Sequence, residues 1–238
     1  MKWSLSTEQQ RHLFLEVSLA FEAQSMNAKS QQFLLKYLAT YEGSTMAPED
    51  KHLAAKGAVG AIRNPIVCFM ERHNLLGMSA IAQLKGDSEH SGLFALLHIF
   101  SVGKLKDYMD LHEANPGMFE KYTLDHEACC AHMRLLSLTS LATEHEEIPY
   151  SAIAETLSVP LEEVEAWVVR AITSKLIDAK MDQLAQVVMI SRCTHRSFAI
   201  DQWTGLSEKL KSWKANVRTI LDTVQKAKIM QEGAATSE

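Results

Sequence analysis

Glycine and proline are scarce in this sequence, with 10 and 5 residues among 238. All-β proteins need many tight turns, which these two residue types largely supply, so a mainly helical fold is favoured. A basic excess is missing as well, because the formal net charge is −5. Neutralising phosphates requires clustered basic residues, so the total argues against a dedicated nucleic-acid-binding protein, although it does not exclude a local basic patch.

Cysteine and long apolar runs are equally limited. Four cysteines, two of them adjacent, do not form the pattern of a secreted disulfide-bonded protein, so we expect a reducing, cytoplasmic environment. The longest stretch without Asp, Glu, Lys or Arg is 91–103, which is shorter than the roughly 20 residues of a membrane helix. The first residues have no apolar core of signal-peptide length. A membrane partner is therefore not expected.

The hydrophobic content of 47% is sufficient for a sizeable core, and residues 1–121 predict an irregular array of amphipathic helices that provides it. In the first helix Leu13, Val17 and Phe21 share one face, and Thr7 is the expected cap. The segment 91–102 is apolar almost all round, which indicates a buried helix. No fixed repeat length stands out, so we do not predict a consensus repeat protein.

A different pattern follows a longer predicted helix at 122–143. Two short helices at 151–157 and 161–175 precede two candidate strands at 177–181 and 187–191, and a polar turn joins the strands. Two helices followed by a β-hairpin are the element order of a winged helix. The three predicted regions are a helical array at 1–121, the winged-helix part at 122–198, and a C-terminal assembly helix with a disordered tail, beginning near Gly233, at 199–238.

The predicted C-terminal helix carries apolar residues at alternating spacings of three and four. They are Trp203, Leu206, Leu210, Trp213, Val217, Ile220 and Val224. This spacing forms the a/d seam of a coiled coil over about three heptads, and such a seam needs a facing helix to bury it. The helix could fold back on its own domain or join a bundle of partner helices, and we predict the second.

The second predicted docking element is the strand that contains Val187, Val188, Met189 and Ile190. These four residues are apolar without alternation, so an exposed sheet edge at this place would associate with other chains. Either the strand is covered on both faces, or an adjacent chain extends the sheet.

The densest group of potential metal ligands is His126, Cys129, Cys130 and His132. The first three share a helical face, but His132 points elsewhere, and structural zinc usually takes four ligands from two separated pairs. Small buried cysteines on a core helix are the favoured interpretation. We predict no metal site and no cofactor.

Two further patterns resemble catalytic motifs only in part. The segment 57–60, Gly-Ala-Val-Gly, lacks the Lys-Ser/Thr of a phosphate loop, so close helix packing explains it better. Cys193 lies near His195 in sequence, as a nucleophile and base would, but no oxyanion hole can be identified. His195 and Arg196 are expected to tie this connector to the winged helix by hydrogen bonds. We predict no catalytic residues.

The second helix of the predicted winged helix opens with Glu162, Glu163 and Glu165. In winged-helix proteins that bind DNA this helix enters a groove, where these acids would face phosphates. Between Glu146 and Arg192 there are eight acidic and four basic residues, which gives a net charge of −4. Groove binding is therefore unfavourable, and protein contact is the favoured role.

Several short segments carry a resemblance to a known family. They are Met133-Arg134-Leu135-Leu136, Val164-Glu165-Ala166-Trp167-Val168, Lys180-Met181-Asp182-Gln183, the segment 191–198 (Ser-Arg-Cys-Thr-His-Arg-Ser-Phe) and Trp203. Together with the helical array, they resemble the PCI-domain family of the proteasome lid, the COP9 signalosome and eukaryotic translation initiation factor 3. The resemblance is strongest over 133–213. The resemblance does not cover an N-terminal region that relatives usually carry, which suggests that this chain is a fragment or a short form.

The resemblance implies a non-catalytic scaffold subunit of initiation factor 3 that acts in translation initiation. PCI subunits align winged helix beside winged helix, which favours sheet extension by a neighbouring PCI subunit, while partner helices would bind the C-terminal helix. Contact with the small ribosomal subunit would be indirect, and direct contact with RNA stays open. The alternatives are a signalosome or lid subunit, a nucleic-acid-binding winged-helix protein and, more remotely, a metal-dependent enzyme.

Overall fold

The computed structural model describes residues 6–70, 74–194, 196 and 200–235, which fall into two compact units at 1–196 and 197–238. The α-helices described in the first unit are α1 (Thr7–Ala23), α2 (Asn27–Ala39), α3 (Lys51–Arg63), α4 (Pro65–Met70), α5 (Ser79–Ala82), α6 (Ser91–Val102), α7 (Leu105–Ala114), α8 (Pro116–Lys121), α9 (His126–Glu144), α10 (Tyr150–Leu157) and α11 (Val164–Thr173). Its strands are β1 (Glu147–Pro149), β2 (Ile177–Asp182) and β3 (Val187–Cys193). The second unit contains α12 (Ile200–Ala235). The predicted fold class, mainly helical with a small sheet and a long C-terminal helix, is confirmed.

Local capping sets the first boundary of the array. Helix α1 begins at Thr7, but its cap is Ser6 and not Thr7 as predicted. The Ser6 hydroxyl accepts a hydrogen bond from the backbone N–H of Gln9 at 3.3 Å, and the Gln9 side chain accepts one from the backbone N–H of Ser6 at 3.0 Å. This reciprocal pair satisfies two donors that a helix start otherwise leaves unpaired.

Helix α9 begins four residues later than the predicted start at Tyr122. Thr123 has a φ of 49°, a left-handed conformation that interrupts the helical path after α8. Asp125 then caps the new helix, because its carboxylate accepts hydrogen bonds from the backbone N–H groups of Glu127 and Ala128. The hydrophobic pattern of the sequence does not indicate this interruption between α8 and α9.

Two hydrophobic clusters form the core of the first unit, and α9 contributes to both. Met133 and Leu136 pack in the cluster built from the array helices. Leu135 and Leu138 pack in the cluster of the winged helix. The two regions are therefore joined through opposite faces of one helix, and the predicted division at 121/122 does not separate two independent cores. Among the described helices, none combines the length and hydropathy needed to cross a membrane.

Helix α3 approaches α2 closely at Gly57, as the sequence interpretation of this segment expects. A Cβ atom at Gly57 would lie 2.7 Å from Cδ1 of Leu38, a fully buried side chain. The Gln31 side chain covers Gly60 and donates a hydrogen bond to the Gly57 carbonyl at 2.7 Å. Both glycines thus serve helix packing, and the segment lies inside a helix, where a phosphate loop cannot form.

Arg196 anchors the end of the first unit to α6. Its guanidinium donates to the carbonyls of Ile99, Phe100 and Gly103 at 3.1, 2.7 and 2.8 Å, and to the Ser140 hydroxyl at 3.3 Å. Burial lowers its pKa to about 10, yet the carbonyls of a helix C-terminus favour a cation. The expected bonds to the winged helix are wrong for Arg196, whose carbonyl acceptors belong to the array. His195 lies outside the described residues.

The contact at Gly57 leads to a prediction about stability. Gly57→Ala should lower the free energy of unfolding by about 1–3 kcal/mol, because the new methyl group overpacks the core at Leu38. Gly117→Ala is the control, since its Cβ meets nothing within 4 Å, and it should leave stability unchanged or raise it by up to about 1 kcal/mol. Urea denaturation of the full chain measures both. Equal stability of the two variants would contradict the packing argument.

Candidate docking surfaces

The winged helix is built from α10, α11 and the hairpin of β2 and β3. Helix α10 ends at Leu157, and the φ of 51° at the following Ser158 turns the chain toward α11. Ile153, Val164 and Val168 are fully buried between these helices. The predicted order of two helices and a hairpin is confirmed.

A third strand, β1, changes the position of the apolar strand in the sheet. The strand order is β1-β3-β2, and both pairs are antiparallel. Ile148 of β1 lies opposite Val188, and Met181 of β2 lies opposite Val188 on the other side. Strand β3 is therefore central, and the prediction that it forms a sheet edge open to another chain is wrong. Strand β1 has only three residues, which are too few for a sequence pattern to indicate a strand.

The four predicted contact residues of β3 differ in exposure. Val188 is fully buried and belongs to the core, Val187 and Ile190 are half-buried, and Met189 is 40% exposed. Successive residues of a strand face opposite sides of the sheet, which explains these differences in exposure. The sequence does not indicate the alternation because all four residues are apolar. Of the four, only Met189 is accessible to a partner to a large extent.

The open edges of the sheet are β1 and β2. Strand β1 has three residues and ends in Pro149, which lacks a backbone N–H and cannot donate to a ladder. Strand β2 has six residues and exposes Asp178 and Lys180 on its polar face. Asp178 forms an ion pair with Arg192 of β3 at 2.8 Å. Charged side chains are a common protection of edge strands against indiscriminate pairing, so β2 is the edge that a specific partner could extend.

Helix α11 uses its first acidic residues for internal contacts. Glu165 accepts hydrogen bonds from the Tyr150 hydroxyl at 3.2 Å and from the Gln183 side chain at 3.0 Å. Burial and the nearby Glu165 carboxylate raise the pKa of Tyr150. Glu165 therefore connects α11 to α10 and to the hairpin turn. An acidic helix start that is used in this way disfavours a pose against phosphates.

Trp167 and Arg134, two residues that carry the family resemblance, hold the winged helix on α9. The guanidinium of Arg134 lies 5.3 Å from the Trp167 ring centroid, and that of Arg170 lies 4.6 Å from it. Arg134 also donates to the Leu157 carbonyl at 3.1 Å, at the end of α10. Cation–π contacts of this kind stabilise packing, which gives these motif residues a structural role.

The Cys/His group of α9 is engaged in core packing. His126 contacts the Tyr108 hydroxyl through Nδ1 at 2.9 Å and stacks on His112 with ring centroids 3.8 Å apart. Burial raises the pKa of the Cys129 thiol to about 11, which disfavours the thiolate that binds metals. Burial, followed by the positive charge of Arg170, lowers the pKa of His132. Within the described residues, no three His, Cys, Asp or Glu side chains are placed to hold a metal ion.

Cys193 lies half-buried at the end of β3. Its suggested base, His195, falls outside the described residues. The structure therefore does not describe a nucleophile–base pair at this place.

Helix α12 presents the predicted seam on one face. Its seven seam side chains, defined above from Trp203 to Val224, are between 40% and 68% exposed. Leu221, beside the seam, is 53% exposed. The helix continues to Ala235, so the tail predicted as disordered from Gly233 is helical over 233–235; neither proline nor a strong capping signal ends the helix earlier. Residues 236–238 lie outside the described part.

Two protein-family models match this chain, one in the first unit and one mainly in the second. The PCI domain family model matches residues 111–192, and the model for the C-terminal helix of initiation factor 3 subunit M matches residues 196–224. The first match contains the last four residues of α7, all of α8 to α11 and most of the sheet. The second contains the seam residues of α12 as far as Val224.

Curated relatives are similar over almost the whole chain. Eukaryotic translation initiation factor 3 subunit M of Dictyostelium discoideum is 32% identical over 233 residues, which are 96% of this chain and 57% of the relative. The subunit M proteins of Chaetomium globosum and Danio rerio are 33% and 30% identical over 97% and 94% of this chain, and 55% and 58% of their own lengths. The chain thus spans somewhat more than half the length of these relatives.

The fold, the two family matches and these relatives agree with the resemblance in the sequence motifs. By these matches the chain is similar to the PCI-domain family, in the group of eukaryotic translation initiation factor 3 subunit M.

Proposed function

We propose that this chain is a non-catalytic scaffold subunit of the eukaryotic translation initiation factor 3 complex and acts in the cytoplasm through protein–protein contacts. The exposed heptad seam of α12 is the observation that carries the proposal, since it lies in the segment that matches the C-terminal helix of subunit M. The names of the curated relatives support the choice of complex.

Leaving the apolar seam of α12 in water costs free energy that burial against a partner would recover. Full burial of a large apolar side chain contributes about 1.5–3 kcal/mol, and seven such side chains are aligned along α12. Association of two proteins costs about 4–15 kcal/mol in lost freedom of motion. The gain from the seam is of sufficient size to exceed this cost, so a helical partner would be bound by this surface alone.

The winged helix provides the second surface in the proposal. A neighbouring PCI subunit would extend the sheet at β2, because β3 is central and β1 is short and ends in proline. This chain would be connected to the small ribosomal subunit indirectly, through other subunits of the complex. The acidic start of α11 supports a protein partner over a nucleic acid at this surface.

The absence of a catalytic role is part of the same proposal. The sequence offers two constellations for chemistry, and the structure places the first, on α9, in the core, with Cys129 and Cys130 buried. The second depends on Cys193, which lies half-buried at the end of a strand. Activity would require an accessible nucleophile with a base beside it, and neither cysteine of α9 meets that condition.

Co-purification tests the proposed complex. The tagged full chain, expressed in eukaryotic cells and purified gently, should recover initiation factor 3 subunits, identified by mass spectrometry, because its seam and its sheet edge would be covered by them. An untagged lysate is the control. Recovery of COP9 signalosome or proteasome-lid subunits without initiation factors would overturn the proposal.

Substitutions in the seam test which surface holds the complex. Leu210→Asp combined with Trp213→Asp should reduce the recovery of partner subunits at least tenfold, because two buried anchors would together contribute about 3–6 kcal/mol. Ala215→Asp combined with Thr219→Asp is the matched control, since both residues lie on α12 away from the seam and are exposed. Its recovery should equal that of the unmodified chain. Equal recovery of the seam variant would exclude the seam as the main docking surface.

A further inference from the structure

The two sides of the α12 seam differ in charge. One side carries Lys211, Lys214 and Arg218, which we call the basic flank. The other side carries a single cation near the seam, Lys209, beside Ser212, Asn216 and Thr219, and we call these last three the polar flank. All six side chains of the two flanks are exposed. Residues 203–226 contain five bases and two acids, so this stretch has a net charge of +3 in a chain whose formal charge is −5.

The basic flank is electrostatically unfavourable in the isolated helix. Lys214 is three residues from Lys211 and four from Arg218, which places three cations side by side over about 10 Å of the helix. Like charges at these spacings destabilise a helix by a few tenths of a kcal/mol per pair. Among the ion pairs of the described residues, none involves these three side chains. Carboxylates from a partner would relieve this repulsion.

The heptad register shows where such carboxylates would lie. With Trp203 and Leu210 at a and Leu206 and Trp213 at d, Lys214 occupies an e position and Lys209 a g position. Residues at e and g pair across a helical interface and determine partner choice and orientation. A partner helix packed on the seam therefore brings its own flanking side chains against Lys214, with Lys211 and Arg218 immediately behind it.

A second copy of the chain fits this surface poorly. In a parallel pair of α12 helices, the g residue Lys209 of each helix faces the e residue Lys214 of the other. In an antiparallel pair e positions face e positions, so the two basic flanks meet. Both arrangements place cations against cations, which disfavours pairing. The charge pattern thus selects a different chain.

We propose that the basic flank selects a partner helix with acidic residues at the positions that face Lys211, Lys214 and Arg218, and that it fixes the orientation of that helix on the seam. This inference rests on the proposed function, because it describes the partner that the seam would bind within the complex. The side of the polar flank, with the single cation Lys209, has a weaker preference of this kind. The partner is thus an amphipathic helix with an apolar stripe and an acidic border that is stronger on the side facing the basic flank.

RNA has the charge to bind three cations but does not match the rest of this surface. The seam extends over 22 residues, or about 32 Å from end to end, and its apolar side chains lie directly beside the basic flank. Phosphates would neutralise the cations and leave this stripe in water, whereas a helix with an acidic border covers both. Protein is therefore the favoured occupant, and RNA is an outcome that the experiment distinguishes.

Two matched triple variants of the full tagged chain test the proposal. Lys211→Gln, Lys214→Gln and Arg218→Gln together neutralise the basic flank. Ser212→Glu, Asn216→Glu and Thr219→Glu together add three acids to the polar flank. Both change the net charge by −3, so a general charge effect would act on both equally. Circular dichroism checks that each variant keeps its helix content.

The readout is the recovery of partner subunits at low and at high salt. The basic-flank variant should recover at least fivefold less than the unmodified chain at low salt and should lose most of the salt dependence, because screening acts on exposed charge pairs. The polar-flank variant should stay within twofold of the unmodified chain. Equal behaviour of the two variants would overturn the inference. If the unmodified chain recovers no initiation factor subunits, the proposed function has failed instead.

Carbodiimide cross-linking, which joins lysine to carboxylates in direct contact, identifies the occupant. Lys211 or Lys214 should be joined to Asp or Glu residues of another subunit in the purified complex. Links from these lysines to carboxylates of this chain alone would show that α12 folds back on its own chain. If other lysines are cross-linked but Lys211 and Lys214 are not linked to another subunit, the proposal is also contradicted. Loss of partner recovery after ribonuclease treatment would assign the basic flank to RNA.

Discussion

The packing of α9 on both of its faces is the constraint on which the first unit depends. Met133 and Leu136 belong to the core of the array, whereas Leu135 and Leu138 belong to the core of the winged helix. Because one helix is shared, the array and the winged helix cannot move as independent domains without opening one of the cores. The Arg134–Trp167 contact and the Arg196 anchor on α6 fasten the same junction from two sides. A rigid body of this kind would suit the scaffold role that we propose.

The winged helix has the elements of a nucleic-acid reader but the chemistry of a packing module. The helix that would enter a groove opens with acids, and Glu165 is held by Tyr150 and Gln183. The sheet edge at β2 is open but charged, which favours a specific neighbour over indiscriminate association. The fold alone therefore does not determine the function, and the identity of a few surface side chains decides between the two roles.

Helix α12 differs from the rest of the protein in what stabilises it. The array helices bury their apolar faces against one another, whereas the α12 seam stays largely exposed in the chain by itself. The same helix carries a charge opposite in sign to that of the whole chain. An apolar stripe supplies binding energy without direction, and an asymmetric charged border supplies orientation. The two features together are those of the docking surface that we propose for a partner helix.

The sequence by itself determined the features that depend on local spacing: the helical class, the two helices and hairpin of the winged helix, and the seam from Trp203 to Val224. These follow from periodicities of two or about 3.6 residues, which a short stretch of chain contains completely. Tertiary structure alone decided that β3 is central, because β1 is too short to give a pattern and lies about 40 residues away in sequence. It also decided the position of Arg196, whose carbonyl partners are 93 to 97 residues distant. Contacts between distant segments are set by packing of the whole unit, which no local pattern contains.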